Sequence, residues 1–286
     1  MPVGGKTKVA GVMGWPVAHS LSPRLHGFWL AEHGIDGVFV PLPVKPENFA
    51  DALRALPKLG FVGASVTLPH KEAALALADE VDPVARRIGA VNTLIVRPDG
   101  GVLGRNTDAF GFMESLRESA PRWRADAGAA VVLGAGGAAR AVVAALLEAG
   151  VSEIRVVNRT VERARELARA MAPATKGAVV ARPWAERAAA LAGAALVVNT
   201  TSLGMQGQPP LDLDLAPLPA TATVADIVYA PLETPLLKAA RARGLAGVDG
   251  LGMLLHQGRP AFAAWFGIEP QVTPALRAAV LADRAG

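Results

Sequence analysis

Two polar stretches of the 286-residue sequence carry side chains suited to moving a proton. Gly63-Ala64-Ser65-Val66-Thr67-Leu68-Pro69-His70-Lys71 reads as a strand ending in polar residues, then a helix opening at Pro69. Lys71 falls in the first turn of that helix. The positive end of the helix dipole disfavours a second cation there, a setting in which lysine serves as proton donor and acceptor. The second stretch, Gly104-Arg105-Asn106-Thr107-Asp108, places Asp108 ahead of a helical pattern, where both an N-cap and a proton-relay role are open to it. Asn92-Thr93 stands at the start of an apolar strand. Ser20 and Ser22 precede a helix, where their N–H and O–H groups suit either capping or a bound carboxylate.

A different chemistry is written in Val131-Val132-Leu133-Gly134-Ala135-Gly136-Gly137-Ala138-Ala139-Arg140. An apolar, β-branched run leads into a G-x-G-x-x-A turn and then a long helix. Gly134 permits the tight turn, Gly136 lets a pyrophosphate approach the backbone, and small Ala139 lets the helix pack on the sheet. Ala135, Gly137 and Ala138 complete a row of main-chain groups at a helix N-terminus, which suits phosphate. The next strand ends in Asn158-Arg159-Thr160, with Arg163 one helical turn on, and carries no acidic residue there. A carboxylate would repel a ribose 2′-phosphate, whereas an arginine with polar neighbours holds it, so the turn predicts NADP as cofactor.

The elements that must position these residues alternate between short β-rich runs and alanine-rich helical stretches, the α/β pattern. Strands are expected at Lys8–Met13, Gly37–Leu42, Gly60–Thr67 and Ala90–Val96, with helices at Pro23–His33, Pro46–Leu56 and Pro69–Glu80 between them. Ser22-Pro23 reads as an N-cap followed by proline at the first helical position. A second series follows. It has strands at Ala129–Leu133, Glu153–Val157, Val179–Ala181, Ala195–Asn199 and Thr223–Ile227, with helices from the glycine turn to Glu148 and from Val161 to Met171. Gly207–Pro219 reads as a surface loop. Helical patterns at Gly252–Phe266 and Pro274–Ala285 end the chain.

Composition narrows the function classes. The chain has 51% hydrophobic residues, ample for a sizeable core, and a length that suggests two domains. The formal net charge is +4, and the basic residues are scattered without aromatic interleaving, which argues against a nucleic-acid partner. With no cysteine, disulfides and thiolate metal sites are excluded, and the five histidines lack metal-ligand spacing, so no metal is expected. The longest apolar stretch, Ala129–Leu147, is broken by glycines and Arg140, so no membrane span is expected. The first residues lack the pattern of a signal peptide, and a cytoplasmic enzyme is the expectation.

Together these segments resemble the shikimate dehydrogenase family over nearly the whole chain. The motifs are Gly14-Trp15-Pro16, His19-Ser20-Leu21-Ser22-Pro23, Ser65 through Lys71, Gly89-Ala90-Val91-Asn92-Thr93 and Gly104 through Asp108. They continue with the glycine turn, Asn158-Arg159-Thr160, Asn199-Thr200-Thr201-Ser202-Leu203-Gly204-Met205, Asp226-Ile227-Val228-Tyr229-Ala230-Pro231 and Gly250 through Gln257. The resemblance implies reversible reduction of 3-dehydroshikimate to shikimate with NADPH, a step toward aromatic amino acids. It implies that Ser20 and Ser22 hold the substrate carboxylate and that Thr67, Asn92, Tyr229 and Gln257 contact the ring and its hydroxyls. It gives Lys71, paired with Asp108, the catalytic position, and sets Ser202, Met205, Ile227, Gly250 and Met253 on the cofactor side. Two positions depart from the family pattern: Ser65 and Gly27 stand where asparagine is usual. Two rivals stay open. A quinate/shikimate dehydrogenase that also uses NAD is opposed by Arg159, and a non-catalytic NADP-binding sensor is opposed by the presence of Lys71 and Asp108.

The expected architecture has two α/β domains. Residues 1–108, completed by C-terminal helices in 250–286, would form a substrate domain with a mostly parallel sheet. Residues 109–249 would form a Rossmann-type, doubly wound NADP-binding domain. The expected partner is a small-molecule acid; monomer and homodimer are both compatible with the sequence.

Overall fold

A computed structural model describes residues 3–171 and 177–282. The chain divides into two compact units, Met1–Thr107 with Leu255–Gly286, and Asp108–Leu254.

The first unit is built on six strands: β1 (Lys8–Gly14), β2 (Gly37–Pro43), β3 (Phe61–Val66), β4 (Glu80–Val81), β5 (Thr93–Val96) and β6 (Val102–Arg105). Their spatial order is β2-β1-β3-β5-β6-β4. Strand β1 is parallel to β2 and β3, and β4 to β6, whereas β5 runs antiparallel to β3 and β6. The antiparallel pair follows from Pro98-Asp99-Gly100, a turn closed by the Arg97 N–H on the Gly101 carbonyl at 2.8 Å. On one face, Met13, Ala64, Val66 and Leu94 pack with Phe49, Leu53 and Leu56 from and beside helix α2 (Phe49–Ala55), each large buried side chain contributing about 2 kcal/mol. Helices α1 (Ser22–Glu32), α3 (Lys71–Leu77) and α4 (Pro83–Ile88) complete the N-terminal part.

The second unit carries β7 (Ala129–Leu133), β8 (Glu153–Asn158), β9 (Ala178–Pro183), β10 (Ala194–Asn199), β11 (Thr223–Asp226) and β12 (Ala246–Val248). All its strand pairs are parallel, in the order β12-β11-β10-β7-β8-β9. Its helices are α5 (Asp108–Ser119), α6 (Gly137–Glu148), α7 (Val161–Met171) and α8 (Pro235–Ala242). This is the doubly wound order, with its reversal between β7 and β10. Strand β7 is buried along its whole length, as the centre of a sheet covered on both faces requires. Helix α9 (Gly250–Phe266) and helix α10 (Pro274–Leu281) follow. In the first unit, the Trp265 indole of α9 donates to the Leu94 carbonyl at 2.9 Å, seating the end of that helix on the sheet.

Several boundaries differ from expectation. The helix expected from Pro69 opens at Lys71, because Thr67–His70 closes a turn first, with the His70 N–H on the Thr67 carbonyl at 3.0 Å. Ser22 is the first residue of α1, not its cap; Leu21 holds the cap position, and the Ser22 N–H donates to Ser20 Oγ at 3.3 Å. The strand expected from Ala90 begins at Thr93, since the Val91 N–H goes to the Lys71 carbonyl. Gly207–Pro219 contains no helix or strand, yet Leu211, Leu215 and Leu218 are buried in the core of the second unit. The last helix ends at Leu281, and residues 283–285 of the expected stretch lie outside the described residues.

Candidate functional site

In the first unit, the polar residues gather where strands end. Thr67 follows β3 directly and donates its N–H to the Met13 carbonyl at 2.9 Å. Asn92 precedes β5, is 2% exposed, and sits at the centre of a side-chain network. Its Oδ1 accepts the Thr107 N–H at 2.8 Å and the Thr93 hydroxyl at 3.0 Å. Its Nδ2 donates to Thr107 Oγ1 at 3.0 Å and to Gln257 Oε1, from α9, at 3.3 Å. A main-chain N–H can only donate, so the Thr107 amide fixes which end of the Asn92 amide is oxygen. The fold thus brings together Asn92 and Gln257, two expected site residues 165 positions apart. It adds Thr93 and Thr107, both buried, which belonged to the sequence motifs without an assigned role.

Lys71 is half-buried at the head of α3, and its carbonyl accepts the Val91 N–H at 2.9 Å, tying that helix to the segment before Asn92. The entry to α3 is fixed by His70. Its buried ring stacks on Phe49 at 4.3 Å and 5°, and its Nε2 meets the Val44 carbonyl at 2.7 Å. Because a carbonyl only accepts, Nε2 carries the proton. Ser20 and Ser22 stand at the start of α1, Ser20 half-buried and Ser22 buried. Ser65 is buried on β3, paired with Thr93 across the antiparallel ladder. Gly27 is exposed on α1.

The other expected residues belong to the second unit. Asp108 is buried in the first turn of α5, where a carboxylate complements the helix dipole. Tyr229 is half-buried in the segment after β11. Gly134, at φ +109°, donates its N–H to the Val157 carbonyl at 2.8 Å, and a Cβ there would fall 2.6 Å from Thr200 Oγ1. Only glycine meets both conditions. Gly136 caps α6 without a side chain, no acidic residue stands in the first turn, and nothing lies within 4 Å of where its Cβ would be. Ala135 and Gly137 lie around this turn, as does Ala138, while fully buried Ala139 faces inward. An uncapped helix N-terminus under open space fits the phosphates of a dinucleotide. At the end of β8, Asn158 Nδ2 bonds the Thr160 carbonyl at 2.8 Å, and Arg159, Thr160 and Arg163 are exposed.

Further along the same sheet edge, Ser202 is exposed, and Met205 and Ile227 are half-buried. Gly250 and Met253 are buried on α9, and a Cβ at Gly250 would fall 2.3 Å from the Ile227 carbonyl oxygen. That close approach admits only glycine. Asp226, the last residue of β11, is 2% exposed. Burial pushes its carboxyl up to about 6, against bonds from Thr234, Val228 and Asn199 that favour the charged form. Sequence reasoning gave Asp226 no role; the available signal was an acidic residue closing an otherwise apolar strand. Among the described residues no group of three His, Cys, Asp or Glu side chains could hold a metal ion, and no helix is long and apolar enough to cross a membrane.

An all-parallel sheet in this order, with a glycine turn entering an uncapped helix beside its reversal, defines a dinucleotide-binding domain. Three family models match the chain: the shikimate dehydrogenase substrate binding domain over residues 12–94, shikimate / quinate 5-dehydrogenase over 119–204, and the shikimate 5'-dehydrogenase C-terminal domain over 250–281. A shikimate dehydrogenase (NADP+) from Rhodospirillum rubrum is 65% identical over 277 residues, 97% of this chain and 98% of that one. Among solved structures, shikimate 5-dehydrogenase from Thermus thermophilus, in complex with NADP(H) and shikimate, is 39% identical with a TM-score of 0.83, covering 96% of this chain and 98% of that one. Quinate dehydrogenase from Corynebacterium glutamicum, in complex with NAD, is 33% identical with a TM-score of 0.88, covering 96% and 99%. The chain belongs to the shikimate dehydrogenase family.

Proposed function

We propose that this chain is an NADP-dependent oxidoreductase that interconverts 3-dehydroshikimate and shikimate. The observation that carries the reading is the network around Asn92. It joins strand ends and α9 through oriented neutral amides and hydroxyls, a lining suited to a polyhydroxylated ring, beside a lysine at the head of a helix. The kinship with NADP-dependent shikimate dehydrogenases supports the substrate, and the absence of an acidic residue at the end of β8 supports NADP over NAD.

In this reading Ser20 and Ser22 hold the substrate carboxylate at the start of α1. Thr67, Asn92, Tyr229 and Gln257 bond the ring oxygens, so that one face and one carbon are presented for reduction. Bound NADPH supplies the hydride. Lys71 gives a proton from Nζ to the oxygen of the ketone as that carbon is reduced, and takes it back in the reverse direction, with Asp108 as its acidic partner. Gly134, Ala135, Gly136, Gly137 and Ala138 cradle the pyrophosphate. Asn158, Arg159, Thr160 and Arg163 hold the 2′-phosphate, and Ser202, Met205, Ile227, Gly250 and Met253 line the nicotinamide side. We assign substrate binding chiefly to residues 1–108 with 250–286 and cofactor binding chiefly to 109–249, with Tyr229, Gly250 and Met253 crossing that division, in a cytoplasmic monomer or homodimer that binds no nucleic acid.

The structural likeness to a quinate dehydrogenase with NAD keeps one second reading in play. Steady-state rates with shikimate and with quinate, each with NADP+ and with NAD+, decide between them. The expected result is the highest kcat/KM for shikimate with NADP+; a higher value for quinate with NAD+ overturns the proposal.

A further inference from the structure

The carboxylate of Asp226 is buried at a cost, and its hydrogen bonds reach the loops that leave the sheet at β10 and β11. Its Oδ1 accepts from Asn199 Nδ2 at 3.0 Å and from the Val228 N–H at 3.0 Å. Its Oδ2 accepts from the Thr234 hydroxyl at 2.7 Å, and Thr234 Oγ1 in turn caps α8 by accepting the Leu237 N–H. Asn199 lies directly opposite Asp226 in the parallel register and is fully buried. Its amide continues the chain of bonds: Nδ2 also donates to the Leu203 carbonyl at 3.1 Å, and Oδ1 accepts from the Thr201 N–H at 3.0 Å and hydroxyl at 2.7 Å. The Thr201 hydroxyl oxygen accepts the Leu203 N–H at 3.1 Å, and the Asn199 carbonyl accepts the Ile227 N–H at 3.1 Å.

Ser202 is therefore held on both sides, through Thr201 and Leu203, and Ile227 is held between Asp226 and Val228. The Gly250 backbone lies close against the Ile227 carbonyl. An apolar side chain at 226 would fill the same volume without the desolvation penalty of a carboxyl group. It would also leave the Val228 N–H without that acceptor and the Asn199 amide with one of its two, and those two donors set where each loop leaves the sheet.

We propose that Asp226 is a positioning residue that, through Asn199 and Val228, holds the two loops carrying Ser202 and Ile227 in register for the cofactor. The proposal rests on the reading that these loops meet NADP. Its test is NADPH affinity of the full chain, measured by fluorescence titration, for wild type, Asp226→Ala and Asp226→Asn. Shikimate KM at saturating NADP+ and amide hydrogen exchange over the folded chain complete the set. Asp226→Ala is expected to weaken NADPH at least tenfold, raise shikimate KM by a smaller factor through Tyr229, and speed exchange in 200–205 and 227–230 while β7 and β8 stay protected. Asp226→Asn keeps an acceptor oxygen that can face Val228 and Asn199, and is expected to restore NADPH affinity to within threefold of wild type. Should Asp226→Ala not fold, Asn199→Ala breaks the same chain one link later and carries the same expectation.

Wild-type NADPH affinity in the alanine variant overturns the proposal, and so does equal loss of NADPH and shikimate with the sheet amides deprotected, the mark of a merely structural residue. A folded wild-type chain that binds no NADPH removes the cofactor reading itself and the proposal with it. That outcome is distinct because it appears before any substitution is made.

Discussion

Each unit buries an ionisable side chain close to its sheet, and the two are accommodated in opposite ways. In the first unit, His26 on α1 is fully buried, stacked on Phe39 at 4.2 Å and flanked by Trp29, Phe262 and Trp265. Neither ring nitrogen has a hydrogen-bond partner among the described residues. Burial alone pushes its pKa down from 6.5 to about 3. In the second unit, Asp226 is almost as deeply buried yet accepts three hydrogen bonds, and its pKa is pushed up from 3.8 to about 6. Desolvation favours the neutral form of both groups. Aromatic rings give the histidine no means of bearing charge, whereas oriented donors leave the aspartate close to its charged state. The first device only seals a core; the second can direct neighbouring loops.

The comparison has opposite consequences for stability against pH. The folded-state pKa of His26 lies below its unfolded value, so its contribution is complete above pH 6.5 and is lost as pH falls toward 3. The loss runs at roughly 1.4 kcal/mol per pH unit and totals roughly 5 kcal/mol, the largest effect expected here. Urea unfolding of wild type and His26→Phe between pH 7 and 4 should show wild type losing stability relative to the variant, by roughly 1.4 kcal/mol for each pH unit of acidification. Parallel slopes would mean that the histidine is not sealed from protons.

Next in size is Lys71→Ala, which should lower kcat about a thousandfold, in the usual range for a proton-transferring group. NADPH affinity should stay within twofold, which would separate the chemistry of the first unit from the cofactor chemistry of the second. Undiminished turnover would take the proton from Lys71 and break that separation.

The smallest expected effect belongs to Asp226. Its folded pKa is raised, so the stability it contributes is complete below pH 3.8 and is lost as pH rises through about 6, a cost on the order of 3 kcal/mol at neutral pH. Asp226→Asn should therefore raise Tm relative to wild type more at pH 7.5 than at pH 4, read by calorimetry. Between pH 4 and 6 the two buried groups nearly offset each other, so only the single variants reveal either slope.

Much of this fold was legible in the sequence; helix α8 and strand β6 were passed over, and most of the remaining unread elements are very short. Strand β7 and helices α6 and α7 have long apolar runs or a clear helical period, so their limits needed no tertiary context. Elements β4, β12 and α4, of 2, 3 and 6 residues, are too short to show a period and exist because neighbours pair with them or cap them. Asp82 caps α4 by accepting the Ala85 N–H at 2.6 Å, a local Asp-Pro start signal too brief to stand out without the turn that follows it. At the site, the glycine turn was readable because its chemistry is local. Thr107 was not, because its meaning lies in Asn92, 15 residues away, and Gln257, 150 residues away. His26 drew no reading from the sequence; its sealing depends on Phe39 and Phe262, which local pattern cannot reach.

The Thr107 main-chain N–H has a consequence beyond holding Asn92 in place. A peptide group cannot be turned around, so it acts as a fixed polarity mark for a chain of amides that could each be reversed. Asn92 inherits its orientation from Thr107 and passes it to Gln257, whose oxygen must face the Asn92 amide nitrogen. Replacing Asn92 with Asp would set a second acceptor against that oxygen and favour rotating the Gln257 amide by half a turn. One atom changed at position 92 would then exchange a donor for an acceptor at position 257, rewriting the hydrogen-bond pattern that the helix presents without altering α9 itself.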